Sequence, residues 1–112
     1  MRGEIDTVTP PQPTRIEPVA GMSVRIETTK NRVIEGDNLA VMAALMPTHS
    51  GRVKLAYIDP PYNTGNQFTY ADNRGEEWVT MMRPRLEAAH TLLCDSGAIV
   101  VHIDEHEVAR LT

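Results

Sequence analysis

Short apolar runs alternate with helical patterns from residue 31 onwards, and this alternation constrains the fold more than any other feature of the sequence. Two of the runs, residues 53–58 and 98–103, have the length and composition of strands in a sheet. In the segments before and between these two runs, apolar residues recur at the spacing of a helix. An order of strand, helix, strand, loop, helix, strand predicts an α/β fold with a mostly parallel sheet.

The segment before residue 53 is predicted from its alternation, caps and breakers. Residues 24–29 alternate polar and apolar side chains, which favours a short exposed strand, and Val33-Ile34 indicates a second short strand. Asp37 is well placed to cap a following helix, and Pro47 is expected to end it. The apolar face of that helix is predicted to consist of Leu39, Met42, Ala43 and Met46.

A loop is predicted over residues 59–75, because prolines, glycines and Asn/Asp side chains are concentrated there. The helix after it is expected to be kinked by Pro84 and to end at residues 95–97. Asp104 to Glu107 resembles the first turn of another helix. Core packing, rather than substrate contact, is expected for the apolar face of the long helix, which comprises Trp78, Met82, Leu86, Ala89 and Leu93.

Residues 1–23 contain four of the eight prolines and no apolar periodicity, so they are predicted to be a disordered, proline-rich lead-in. Residues 24–112 are then the folded part. The three strands predicted after residue 31 and an unfinished last helix would leave surface of a parallel sheet uncovered. We therefore expect residues 24–112 to be an incomplete, truncated part of a larger domain.

The composition narrows the class of protein. No run approaches the roughly 18 apolar residues of a membrane helix, and the single cysteine, Cys94, predicts a reducing cytoplasm and a buried apolar role. The net charge is −4, and the acidic excess lies in residues 76–112. No basic patch is visible, so any contact with a nucleic acid is expected to be confined to a small site.

Polar side chains follow two of the predicted strands. Asp59-Pro60-Pro61-Tyr62 lies at the carboxyl end of the strand 53–58, and Asp37 follows Val33-Ile34. Ligands of open parallel sheets bind beyond the carboxyl ends of the strands. The two acidic groups are therefore expected to converge on one edge of the sheet.

The ten residues 57–66 resemble the DPPY motif of amino-DNA methyltransferases, in the form carried by modification subunits of type III restriction–modification systems. Segments 36–39, 78–93 and 97–107 resemble the family's neighbouring segments, in family order. The resemblance implies a β-class adenine-N6 DNA methyltransferase with the Rossmann-like fold of S-adenosylmethionine-dependent enzymes. The family's glycine-rich cofactor loop is absent, so this N-terminal catalytic part is expected to be inactive alone.

The resemblance also implies roles for individual residues. The carboxylate of Asp59 and the carbonyl of Pro60 would accept the two amino hydrogens of a flipped adenine, and Pro61 would stiffen the loop. Tyr62 would stack on the base. An aspartate at position 59, where the family's cytosine members more often have serine, favours adenine.

Cofactor and partners follow from the same resemblance. Asp37 would accept from the adenine amino group of S-adenosylmethionine, and Asn63 would help to hold the loop. Double-stranded DNA would be the substrate. A restriction subunit and a second modification subunit are the possible protein partners, and neither a metal ion nor a membrane is implied.

Other interpretations stay open on the sequence alone. The segment Asp59-Pro60-Pro61-Tyr62 also suits an ordinary rigid turn that closes a strand, and Asp37 suits an ordinary helix cap. His102 and His106 fit the H-x-x-E-H pattern of a zinc metallohydrolase, although that pattern needs both histidines on one helix. A remnant that keeps the methyltransferase fold without catalysis is the remaining alternative.

Overall fold

The computed structural model of the chain describes residues 15–61, 74–105 and 108–111. A 3-10 turn at Ala20–Met22 comes first. The regular elements that follow in these ranges are α1 (Asn38–His49), β1 (Val53–Ile58), α2 (Arg74–Leu92), β2 (Leu93–Val101) and α3 (Val108–Leu111). The α/β order predicted from residue 37 onwards is confirmed.

The two strands pair in parallel, as predicted. Leu55 is aligned with Ala98, and the register runs without a break to Ile58 and Val101. Parallel neighbours cannot be joined by a tight turn, and here the connection between them contains α2. This strand–helix–strand unit is the α/β arrangement expected of a partial methyltransferase fold.

The start of β2 differs from the prediction. We expected the helix to continue through Leu93 and to end at residues 95–97, but α2 ends at Leu92, and Leu93 pairs with Val53. The register then shifts before Leu55. A Cβ on Gly97 would lie 3.0 Å from the carbonyl oxygens of Val53 and Cys94. Glycine therefore permits the close backbone approach at this irregularity.

The two short strands predicted before Asp37 are not formed. Arg25 adopts a left-handed φ of 55°, and its carbonyl accepts hydrogen bonds from the N–H groups of Thr28 and Thr29, so residues 24–29 form a turn. Val33 and Ile34 lie in irregular structure, with Val33 fully exposed. Neither alternating side chains nor a short apolar run is sufficient to form a strand, because a strand also needs a neighbour for its backbone hydrogen bonds.

Helix α1 runs two residues past Pro47, so the prediction that Pro47 ends the helix was wrong. A proline so close to the end removes one backbone donor without breaking a long helix. The helix closes where the N–H and hydroxyl of Ser50 both donate to the carbonyl of Met46. Gly51 then turns the chain with a φ of 67°, and its N–H donates to the carbonyl of Thr91 in α2.

The core of the described part of the chain centres on α2. This helix contacts both α1 and β2. Met82 is 2% exposed, and the other buried apolar side chains are Trp78, Ala89 and Leu92. The predicted core positions Trp78, Met82 and Ala89 are therefore confirmed. Pro84 lies inside the continuous helix, and the kink expected there stays a prediction.

Strand β1 is less buried than its apolar sequence indicated. Leu55 and Tyr57 point to one face of the sheet, and both side chains are exposed. Ala56 and Ile58, on the other face, are half-buried. Separately, none of the described helices combines the length and apolar character needed to span a bilayer.

Candidate functional site

The predicted base-binding segment begins at the carboxyl end of β1. Asp59 follows the last strand residue directly, and its side chain is 68% exposed. Pro60 is buried, whereas Pro61 is exposed. The segment is thus anchored by one proline ring while its carboxylate stays accessible. Tyr62 and Asn63, the other predicted site residues nearby, lie outside the described residues.

His102 contacts the carboxylate of Asp59. Its Nδ1 lies 3.3 Å from Oδ1 of Asp59, and its backbone N–H donates to the carbonyl of Ile58 at 2.8 Å. Because Ile58 is paired with Val101, the residues that follow the two strands, Asp59 and His102, are neighbours. The contact adds little stability between two exposed groups, but it restricts the orientation of the carboxylate.

Trp78 also holds this segment, through a hydrogen bond to Pro61. Its indole Nε1–H donates to the carbonyl of Pro61 at 3.1 Å, and the ring is only 7% exposed. A buried indole needs an acceptor for its N–H, and here the acceptor belongs to the candidate site. The prediction of Trp78 as a core residue is confirmed, but sequence reasoning missed its hydrogen bond to Pro61.

Asp37 caps α1, which confirms the helix-cap role, one of the two roles predicted for this residue. Its Oδ1 accepts from the N–H groups of Leu39 and Ala40, both at 3.1 Å. Its Oδ2 accepts from Nη2 of Arg85 at 3.3 Å. No strand precedes Asp37 in the described residues, so its position depends on α1 and Arg85 rather than on the end of a strand.

Replacing Asp37 with alanine is expected to destabilise α1 by about 0.5–2 kcal/mol, because the cap and the contact with Arg85 are both lost. Asp37→Asn keeps an acceptor for the N–H groups of Leu39 and Ala40 and should cost much less. Hydrogen–deuterium exchange of the first turn of α1 measures the difference. Equal losses in the two variants would contradict capping as the main contribution.

Cys94 is half-buried rather than buried, which corrects the predicted apolar role. Its Sγ lies 3.7 Å from Oγ of Ser96, and that hydroxyl also receives a hydrogen bond from Nζ of Lys54. The hydrogen bond with Ser96 lowers the pKa of the Cys94 thiol, and the charge of Lys54 acts in the same direction. This cluster lies at the opposite end of β2 from Asp59.

The zinc alternative loses its geometric basis. His102 lies directly after β2 in irregular structure, whereas the H-x-x-E-H pattern requires it on a helix. His106 lies outside the described residues. Within residues 15–61, 74–105 and 108–111, no three His, Cys, Asp or Glu side chains are grouped to hold a metal ion.

Comparisons with known proteins match most of this chain. The sequence profile of the DNA methylase family matches residues 53–112. The probable type III restriction-modification enzyme HindVI Mod subunit of Haemophilus influenzae is 49% identical over 84 residues, which cover 73% of this chain and 11% of that protein.

Two further relatives are a type II methyltransferase and a second Mod subunit of a type III restriction-modification enzyme. Type II methyltransferase M.KpnI of Klebsiella pneumoniae is 38% identical over 96 residues, or 77% of this chain and 23% of that protein. The type III restriction-modification enzyme EcoP15I Mod subunit of Escherichia coli is 29% identical in an alignment of 117 positions, gaps included, which covers 76% of this chain and 18% of that protein. The chain thus spans less than a quarter of the length of each of these curated relatives.

Proposed function

The chain belongs to the DNA methylase family, and we propose on this basis that it supplies the base-binding part of an adenine-N6 DNA methyltransferase of a restriction–modification system. The observation that carries the proposal is the placement of Asp59. Its carboxylate is accessible at the carboxyl end of a parallel strand, where such sheets bind ligands. Burial of the adjacent Pro60 supplies a rigid support.

Methylation of adenine requires orientation more than a strong base. The lone pair of the exocyclic nitrogen is delocalised into the ring, so this nitrogen is a poor nucleophile until its hydrogens are held out of the ring plane. Asp59 and the carbonyl of Pro60 accept one amino hydrogen each, which directs the lone pair to the methyl carbon. Methylation would leave a positive charge on the nitrogen, and one amino proton would then pass to the accessible carboxylate of Asp59 or to water.

S-adenosylmethionine supplies the methyl group on a positively charged sulfur. Asp37 fits a contact with this cofactor, because its carboxylate is exposed while its helix cap and Arg85 fix its direction. It would accept a hydrogen bond from the adenine amino group of the cofactor. In the same proposal Tyr62 stacks on the flipped base and Asn63 supports the loop.

Adenine is preferred to cytosine as the target because Asp59 stands where cytosine-specific members of the family more often have serine. The N4 amino group of cytosine carries the same two hydrogens, so it is the nearest chemical alternative. Double-stranded DNA is the proposed substrate. A restriction subunit and a second modification subunit are proposed as partners in the cytoplasm, since relatives of the chain are Mod subunits of type III enzymes.

Transfer of a labelled methyl group tests the proposal. The protein that carries this segment is incubated with tritiated S-adenosylmethionine and PCR-amplified genomic DNA, which carries no methylation added by enzymes and contains every short target sequence. We expect the label in N6-methyldeoxyadenosine after digestion to nucleosides. Label in N4-methyldeoxycytidine would overturn the assignment of the base, and absence of label would favour a non-catalytic remnant. Zinc analysis of the same preparation tests the metallohydrolase alternative.

A further inference from the structure

Helix α2 contacts both segments of the proposed site. Trp78 binds the carbonyl of Pro61, and Arg85 binds the carboxylate of Asp37. Trp78 and Arg85 are seven residues apart, so they lie on the same face of the helix, separated by about 10.5 Å along its axis. One continuous helix therefore links the base-binding segment to the proposed cofactor carboxylate.

The contact of Trp78 helps to determine where the segment 59–61 lies, together with the burial of Pro60 and the contact of His102 with Asp59. Pro60 and Pro61 have no N–H groups, so only Asp59 can offer a backbone donor in this stretch. The carbonyl of Pro61 is instead held by the indole N–H of Trp78, whose ring is immobilised in the core. A shift of the Pro61 carbonyl would move the Pro60 carbonyl in the preceding peptide.

Arg85 fixes the beginning of α1 on α2 through several hydrogen bonds. Its Nη2 donates to Asp37 at 3.3 Å and its Nε to Oδ1 of Asn38 at 2.8 Å. Its Nη1 donates to the carbonyl of Met81 within α2, also at 2.8 Å. The guanidinium is mostly shielded from solvent, whereas Asp37 is exposed. Arg85 is thus an anchored donor, and together with the N–H groups of Leu39 and Ala40 it sets the direction of the Asp37 carboxylate.

We propose that Trp78 and Arg85 are positioning residues that act on different steps of methyl transfer, an inference that rests on the function proposed above. Trp78 aligns the acceptors for the amino group of the target base, so its hydrogen bond affects kcat. Arg85 aligns the carboxylate that contacts the cofactor, so its hydrogen bonds affect the KM for S-adenosylmethionine. Neither side chain touches the reacting atoms.

The first test is Trp78→Phe, which keeps a buried ring and removes the N–H. We expect kcat to fall by about tenfold to a hundredfold, as for misplaced catalytic groups, with the KM for S-adenosylmethionine changed less than about twofold. Thr91→Val is the matched control, because it removes a side-chain hydrogen bond to the carbonyl of Glu87 on the same helix, away from the site. That variant should keep both parameters.

The second test is Arg85→Gln, with Arg83→Gln as control, since Arg83 is exposed on the same helix. We expect Arg85→Gln to raise the KM for S-adenosylmethionine about tenfold, as for a lost charge-assisted hydrogen bond, with a smaller change in kcat. Arg85→Lys should also raise the KM for S-adenosylmethionine, by more than half as much as Arg85→Gln does, because an ammonium cannot reproduce the forked contacts to Asp37 and Asn38. A purely structural role would lower kcat and raise KM together in both Trp78→Phe and Arg85→Gln, which would overturn the proposal.

Replacement of Trp78 by 3-benzothienylalanine separates packing from hydrogen bonding, because sulfur replaces the N–H in a ring of nearly the same shape. We expect the benzothienyl variant to show the fall in kcat of about tenfold to a hundredfold predicted for Trp78→Phe, and it serves as the test if Trp78→Phe folds poorly. A normal kcat in the benzothienyl variant would overturn the role of the hydrogen bond. Slow exchange of the Trp78 indole hydrogen, followed by NMR, checks the contact without methyl transfer. Rapid exchange in the folded protein defeats this inference alone, whereas absence of methyl transfer in the unaltered protein defeats the proposed function.

Discussion

Replacing Asp59 with alanine is expected to reduce methyl transfer by about 10²- to 10³-fold or more, the range found when one preorganised electrostatic contact is removed from an active site. The substitution removes the charged acceptor for one hydrogen of the base amino group. Its effect on folding should be within about 0.5 kcal/mol, because the side chain is 68% exposed and its contact with His102 joins two exposed groups.

Single-turnover transfer of the labelled methyl group is the appropriate measurement, since product release does not limit it. Glu87→Ala is the matched control, because it removes an exposed carboxylate from α2 rather than from the end of β1. Asp59→Asn should be intermediate, since its amide oxygen still accepts a hydrogen bond without the negative charge. A folded Asp59→Ala protein with activity within tenfold of the unaltered protein would rule out the proposed mechanism.

The parts of the fold that depend on local signals were predictable. The bounds of β1 follow from an apolar run between Gly51 and Asp59, and the start of α1 follows from the capping side chain of Asp37. The buried face of α2 follows from helical spacing, as the burial of Trp78 and Met82 illustrates. In each case one stretch of sequence contains all the groups that decide the structure.

The errors arise where distant partners decide the structure. Leu93 continues the helical spacing of α2, but pairing with Val53 places it in the sheet. Residues 24–29 have the alternation of a strand, but no strand pairs with them in the part of the chain that the structure describes, and local hydrogen bonds to the carbonyl of Arg25 make them a turn. Propensity and alternation are weak preferences, and the presence or absence of a pairing strand overrides them.

The candidate site shows the same division. The position of Asp59 at a strand end was predicted from the sequence around it, whereas its contact with His102 depends on the register of two strands. The pairing of Ile58 with Val101 would have revealed it. The bond from Trp78 to Pro61 spans 17 positions. Its only sequence signal was the general need of a buried indole for an acceptor.

The largest expected effect on stability belongs to Met82→Ala. Met82 is 2% exposed, the most deeply buried large side chain of the described residues, and it lies on α2 one helical turn after Trp78. Truncating its side chain to alanine leaves a cavity beside α2, the helix that contacts both segments of the proposed site. A loss of about 2–5 kcal/mol in the free energy of unfolding is expected for such a truncation.

Met81→Ala is the matched control, because Met81 is the same residue type in the same helix and is only half-buried. The change in helix propensity is identical in the two variants, so the difference between them reports burial alone. Hydrogen–deuterium exchange of the α2 amides gives the local free energy of opening for each protein. Met81→Ala should cost about 1 kcal/mol. Equal losses in the two variants would show that Met82 does not pack in the core, and the support of Trp78 and Arg85 by a rigid α2 would have to be abandoned with it.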